Sequence, residues 1–203
     1  MTSSSTDNWT PNDGDLAEII EELPTLIAVR DFAGKLAHVP WFKSIGDELA
    51  PAHIDLARAY LNALGFPEVD VALVPDWDTA LTLAENPHWD SAAWDAEEML
   101  RAALSADVLE RIHEQALSVV LTHVSAKAGA VLAELIQDVA ALWELDDEAF
   151  LNAAAGAAVQ ATHQATLALA AEADEDHPFL YKFKLFEVGR WPIGIVGSTF
   201  NLF

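Results

Sequence analysis

The chain has 203 residues, with 10 Lys plus Arg against 33 Asp plus Glu, seven His and no Cys, giving a formal net charge of −23. An even split of the charge usual in soluble domains would give about 25 of each sign, so missing bases contribute more to the imbalance than surplus acids. Scarce Lys and Arg argue against nucleic acid and anionic membranes as partners, and the lack of Cys excludes disulfides, zinc fingers and thiol chemistry.

Ala (37 residues) and Leu (26) make up 31% of the sequence, which favours helix. The length suits one domain with a substantial core. Residues 1–8 show neither the basic nor the apolar part of a secretory signal, so a cytoplasmic location is expected.

Residues 1–14 are mostly Ser, Thr, Asn, Asp and Gly, with one Trp, and read as a disordered tail. A helix is expected from Asp15, with Glu18 completing a capping box, restarting after Pro24 and running to about Leu36. Pro51 reads as a first-turn proline of a helix ending at Leu64-Gly65. Residues 66–77 read as irregular, with a short extended piece at 69–74. Helices are then expected at about 78–85, 91–104, 105–123 and 125–144, with Asn86-Pro87 as a break and Ser105 and Ser125 as caps. Asp146, Asp147 and Glu148 supply the cap and acidic first turn of a final helix to about Ala171, complementing its dipole.

Residues 149–171 carry no charge over 23 positions, long enough to span a bilayer. They also hold Asn152, Gln160, His163 and Gln164 and are flanked by acids on both sides, so a central helix in a protein core is the better reading.

Residues 179–203 differ in composition, holding 7 of the 18 aromatics and a net charge of +2, which leaves −25 on residues 1–178. Alternation at 179–188, a turn at 189–192 and a hairpin signal at Gly197-Ser198 predict an antiparallel β-meander. The expected fold is mainly α: a multi-helix bundle (15–178) around an Ala-rich helix, with a small C-terminal meander (179–203) packed on it.

Helical phase singles out a few polar residues. On a helix through Leu109, Ile112 and Val120, both His113 and His123 fall in the apolar stripe and Glu110 lies at its edge. Asn152, Gln160 and His163 are expected to be buried on the central helix, where each needs a partner. Glu110-Arg-Ile-His113 matches the Glu-x-x-His element of helical di-metal sites, whereas Gln160-Ala-Thr-His163 puts an amide where the second carboxylate belongs. Glu18, Glu21, Glu134 and Asp138 could supply further carboxylates. A satisfied core histidine is the commoner role for His113 and His163. Asp90, Asp95, Glu97 and Glu98 read as an exposed acidic face.

No phosphate-binding glycine loop, zinc-protease motif or nucleophile elbow is present. Three functions fit these observations. The first is a non-catalytic binding or assembly module, with no cofactor, whose C-terminal meander meets a protein partner or a second copy. The second is a helical-bundle enzyme binding a divalent metal or small ligand through Glu110, His113 and His163. The third is an acidic decoy of a basic partner.

Overall fold

Seven α-helices and three short strands make up the described part of this computed structural model, which comprises Gly14, Ile19, Leu23 and residues 26–85 and 91–203. The expected tail (1–14, Gly14 aside), the Asp15–Glu18 capping box, Pro24, Glu21, the Asn86-Pro87 break and Asp90 lie outside the described residues. The protein is mainly α, as its Ala and Leu content implies.

Helix α1 (Ile27–Lys35) runs into a 3-10 turn at Leu36–His38. Helix α2 (Pro51–Leu64) starts on Pro51, whose missing N–H costs nothing in a first turn, and stops at Gly65 with φ 97°. Strand β1 (Asp70–Leu73) coincides with the extended piece expected there. Asp76 caps α3 (Trp77–Ala84) by accepting from the Thr79 N–H.

The next two helices differ from expectation in their ends. Helix α4 (Ser91–Leu109) passes through Ser105, and α5 (Glu114–Trp143) passes through Ser125. Ser105 does not cap, because its hydroxyl donates back to the Arg101 carbonyl at 2.8 Å inside the helix. The chain breaks instead at 110–113, where the His113 ring accepts from the Gln115 N–H at 3.3 Å and starts α5. One helical phase therefore cannot be carried from Leu109 to His123.

Helix α6 (Glu148–Ala170) has the expected cap, with Asp147 accepting from the Phe150 N–H at 2.9 Å. Ala154, Ala158, Ala161, Ala165 and Ala168 recur at alternating spacings of four and three along it, and all are fully buried. α5 packs along α6 and buries Leu117, Val120, Val124, Ala128, Leu132 and Ile136. By length and composition α5, rather than 149–171, is the described helix apolar enough to cross a membrane, with mean hydropathy 1.5.

The largest correction concerns residues 179–188. They form helix α7 (Pro178–Glu187), not a strand. Pro178 occupies the first turn and His177 caps it, accepting from the Phe179 N–H at 3.2 Å. The alternation of Tyr181, Phe183 and Leu185 masked a second pattern: Phe179, Phe183 and Phe186 stand at i, i+4 and i+7, and all three are buried. α7 packs against both α2 and α6.

Strands β2 (Pro192–Val196) and β3 (Thr199–Leu202) are antiparallel across the expected Gly197-Ser198 turn, with Gly197 at φ 63°. With 179–188 helical, the third strand is β1, which pairs parallel to β3 and gives the order β1-β3-β2. The sheet is thus mixed, not an antiparallel meander. Its inner side, with Ile195, Phe200 and Leu202, packs on Ala57, Tyr60 and Leu61 of α2. The C-terminal Phe203 lies in the main core, its ring 4.8 Å from that of Trp77.

Candidate functional site

Four helices each contribute one polar side chain to a single buried cluster: Tyr60 from α2, Glu97 from α4, Gln164 from α6 and Lys182 from α7. Glu97 is only 6% exposed. Along α4 it precedes the buried Leu104 and Val108 by seven and eleven residues, which is the stripe position of an apolar residue. Helical geometry therefore carries it inward, and the expected exposed acidic face at 90–98 is corrected at this position.

The carboxylate is fully engaged. Lys182 Nζ donates to both Glu97 oxygens at 2.7 Å. Tyr60 Oη donates to Oε1 at 2.5 Å, and Gln164 Nε2 donates to Oε2 at 2.9 Å. These four contacts match the roughly four lone-pair sites of a carboxylate. The Gln164 Oε1 atom is buried without a hydrogen-bond partner.

Burial alone would raise the Glu97 pKa. The Lys182 charge, with the hydrogen bonds from Lys182, Tyr60 and Gln164, outweighs it and holds the carboxyl below its ordinary 4.5. Tyr60 moves the other way: burial first, then the Glu97 charge and hydrogen bond, push its hydroxyl well above the ordinary 10. Glu97 is therefore ionised and Tyr60 neutral at physiological pH.

Tyr60, Glu97 and Lys182 of this cluster floor a cleft of about 170 Å³, which Gln164 does not line. Its walls include Ala93, Phe186, Ile193 and Phe200, and its rim carries Trp94, which is 60% exposed. On the sheet side the wall is Gly194, at φ 140°, beside the irregularity in the β2–β3 register. Among the described residues lining the cleft, Glu97 and Lys182 are the only charged ones.

Apart from Gln160, the residues singled out from sequence for a site fall elsewhere. Glu110 is exposed in the turn after α4, and the exposed His113 caps α5. Beside them, Arg111 reaches across to Glu172 at 2.9 Å and to the Ala171 carbonyl, fastening this turn to the end of α6. His163 is half-buried and lines a separate groove with Ser105, Leu121 and Ser125. Burial, followed by the Arg101 charge, lowers its pKa below 6.5. The structure does not bring Glu110, His113 and His163 together: among the described residues, no three His, Asp or Glu side chains converge as a metal ion would require.

His123 is buried, at 7% exposed. Asn152 and Gln160 are exposed, because the first half of α6 is covered on one face only; from Ala161 to Ala170 only His163 and Leu169 are not fully buried. The buried amide is Gln164, one turn beyond Gln160. Gln160 itself reaches the cleft rim.

No protein-family model matches the chain, and neither a curated protein nor a solved structure does so.

Proposed function

We propose that this chain is a non-catalytic helical module that binds a small molecule in the cleft above the Glu97–Lys182 pair. The observation that carries this reading is a buried polar cluster of which Tyr60, Glu97 and Lys182 line an opening instead of lying in a sealed core. Removing two charges from water costs several kcal/mol per ion, to order of magnitude, and apolar residues of the same size would fill a purely structural position more cheaply. A concave site with mostly apolar walls and a few converging polar groups is the usual form of a ligand pocket. The groups present favour binding over reaction: Glu97 has no lone pair left to take a proton, and Tyr60 holds its own.

Filling the cleft tests this. Ala93→Phe places a ring where the ligand would sit, on a half-buried wall position. Small molecules that raise the melting temperature of the wild-type protein should have no effect on that variant. Ligands that stabilise both proteins equally would place binding elsewhere and end the proposal.

A second reading, assembly through the C-terminal sheet, is favoured by one observation: β1 and β2 each have one side unpaired within the sheet. Sedimentation that is monomeric at every concentration would remove it. Deleting 179–203 would not test it, because Phe179, Phe183, Trp191 and Phe203 belong to the core.

A further inference from the structure

The polar atoms at the cleft floor are unequally committed, and this restricts what the cleft can hold. Glu97 has no acceptor capacity to spare, since Tyr60, Gln164 and Lys182 occupy its oxygens. Lys182 has three N–H donors, and Glu97 takes two of them. Of its two charged groups, the floor therefore offers one donor and no free acceptor.

Charge narrows the ligand further. An anionic ligand reaching Lys182 would share that ammonium with a carboxylate already 2.7 Å away, inside a chain of net charge −23. A cationic ligand would face the ammonium and find Glu97 saturated. A molecule without net charge meets neither penalty. Size sets the last limit: a cavity of about 150 Å³ holds one benzene ring, and this cleft is about 170 Å³.

We infer that the cleft takes a small uncharged molecule, about one ring in size, with an apolar body and a single hydrogen-bond acceptor directed at Lys182 Nζ. This inference rests on the proposed binding function and specifies its ligand class.

Four probes of similar size separate the possibilities: acetophenone (uncharged, one acceptor), toluene (no acceptor), benzoate and benzylammonium. Each is titrated into wild-type protein while the methyl resonances of Ile193 and Ile195 on the cleft wall are followed. Acetophenone should shift both residues and bind about tenfold more tightly than toluene, the ratio expected for one hydrogen bond from a charged donor. It should also outrank both ions. Lys182→Met should reduce acetophenone to the level of toluene; should that variant not fold, the wild-type ranking decides alone. Benzoate or benzylammonium binding as tightly as acetophenone would overturn the charge argument, and toluene equalling acetophenone would overturn the acceptor argument. Either result leaves the cleft as a binding site. Should none of the four move the Ile193 and Ile195 resonances, the binding function and the ligand class fall together.

Discussion

Helices α5 and α6 are packed in a different way from the region where α2, α7 and the sheet meet. Along α6 the buried row is alanine at every step from Ala154 to Ala168, and α5 answers with Leu, Val, Ala and Ile. Small side chains let backbones approach closely, and dense packing follows without a buried charge on that row. At the other end the interior is crowded with rings, such as Phe32 on Phe183 at 4.7 Å and Trp41 on Phe183 at 5.8 Å. There the protein also buries Glu97 and, completely, Arg190, whose guanidinium donates to the Asp47 and Glu48 carbonyls. Smooth helix packing gives a scaffold, whereas the ring-rich region takes charges out of water, Glu97 lining the cleft and Arg190 not lining it.

The sharpest way to break this comparison is to remove one member of the buried pair. Lys182→Met leaves the Glu97 carboxylate inside the protein uncompensated and should cost about 3–5 kcal/mol in urea unfolding. The double variant Glu97→Leu/Lys182→Met should recover most of that loss; a single variant within about 1 kcal/mol of wild type would mean that the pair behaves as a surface contact. The pair also sets a pH dependence. Because Glu97 titrates below 4.5 in the folded state, its stabilisation is complete above that value and is lost as the pH falls through the folded pKa. Tyr60, raised above 10, contributes up to that pH and loses its contribution as the pH rises further. Thermal unfolding of wild type and the double variant across this range should show a smaller acid-side loss in the double variant, which keeps only the contributions of groups such as Asp76 and Glu98.

On the scaffold side, the alanine row is tested by adding volume. Ala161→Leu should destabilise by about 1–3 kcal/mol through overpacking. The same change at exposed Ala153 should stay within about 0.5 kcal/mol. Equal effects at the two positions would show that the row is loosely packed.

Gly189 joins α7 to the strand region at φ 79°, and a Cβ there would lie 2.7 Å from Ser44 Oγ and 2.8 Å from Ser44 N. Gly189→Ala should therefore cost about 1–3 kcal/mol, read as a lowered denaturation midpoint. An unaltered midpoint would mean that the Ser44 turn moves aside at no cost.

The smallest effect is expected at the start of α6, where Asp147→Ala removes a single capping hydrogen bond. A loss of about 1 kcal/mol should result. No loss would show that packing alone defines that helix end.

Local signals were legible wherever one residue decides the local structure. Pro51 with Gly65, Asp147 ahead of α6 and Gly197-Ser198 between β2 and β3 mark their boundaries in the sequence, because each acts on its own neighbouring backbone. The signals at Ser105 and Ser125 misled: the Ser105 hydroxyl bonds back to its own helix, and the Ser125 hydroxyl, inside α5, caps nothing. Phe179 to Phe186 satisfies both the strand and the helix period, and the first-turn Pro178 with its His177 cap, together with the contacts with α2 and α6, select the helix. The candidate site was hidden for a related reason. Glu97 sits in an acid-rich stretch that reads as exposed, and the observation that could have exposed it was its register with Leu104 and Val108. Even that register names no partner.

Composition and local chemistry determined that this protein is helical, that it has no Cys and few Lys and Arg, and where several helices begin. Those properties depend on single residues or on sums over the chain. Tertiary structure alone decided which strand completes the sheet, which histidines stay apart and which four side chains meet. Tyr60, Glu97, Gln164 and Lys182 are up to 122 positions apart, and a contact of that separation exists only once the helices carrying it have packed.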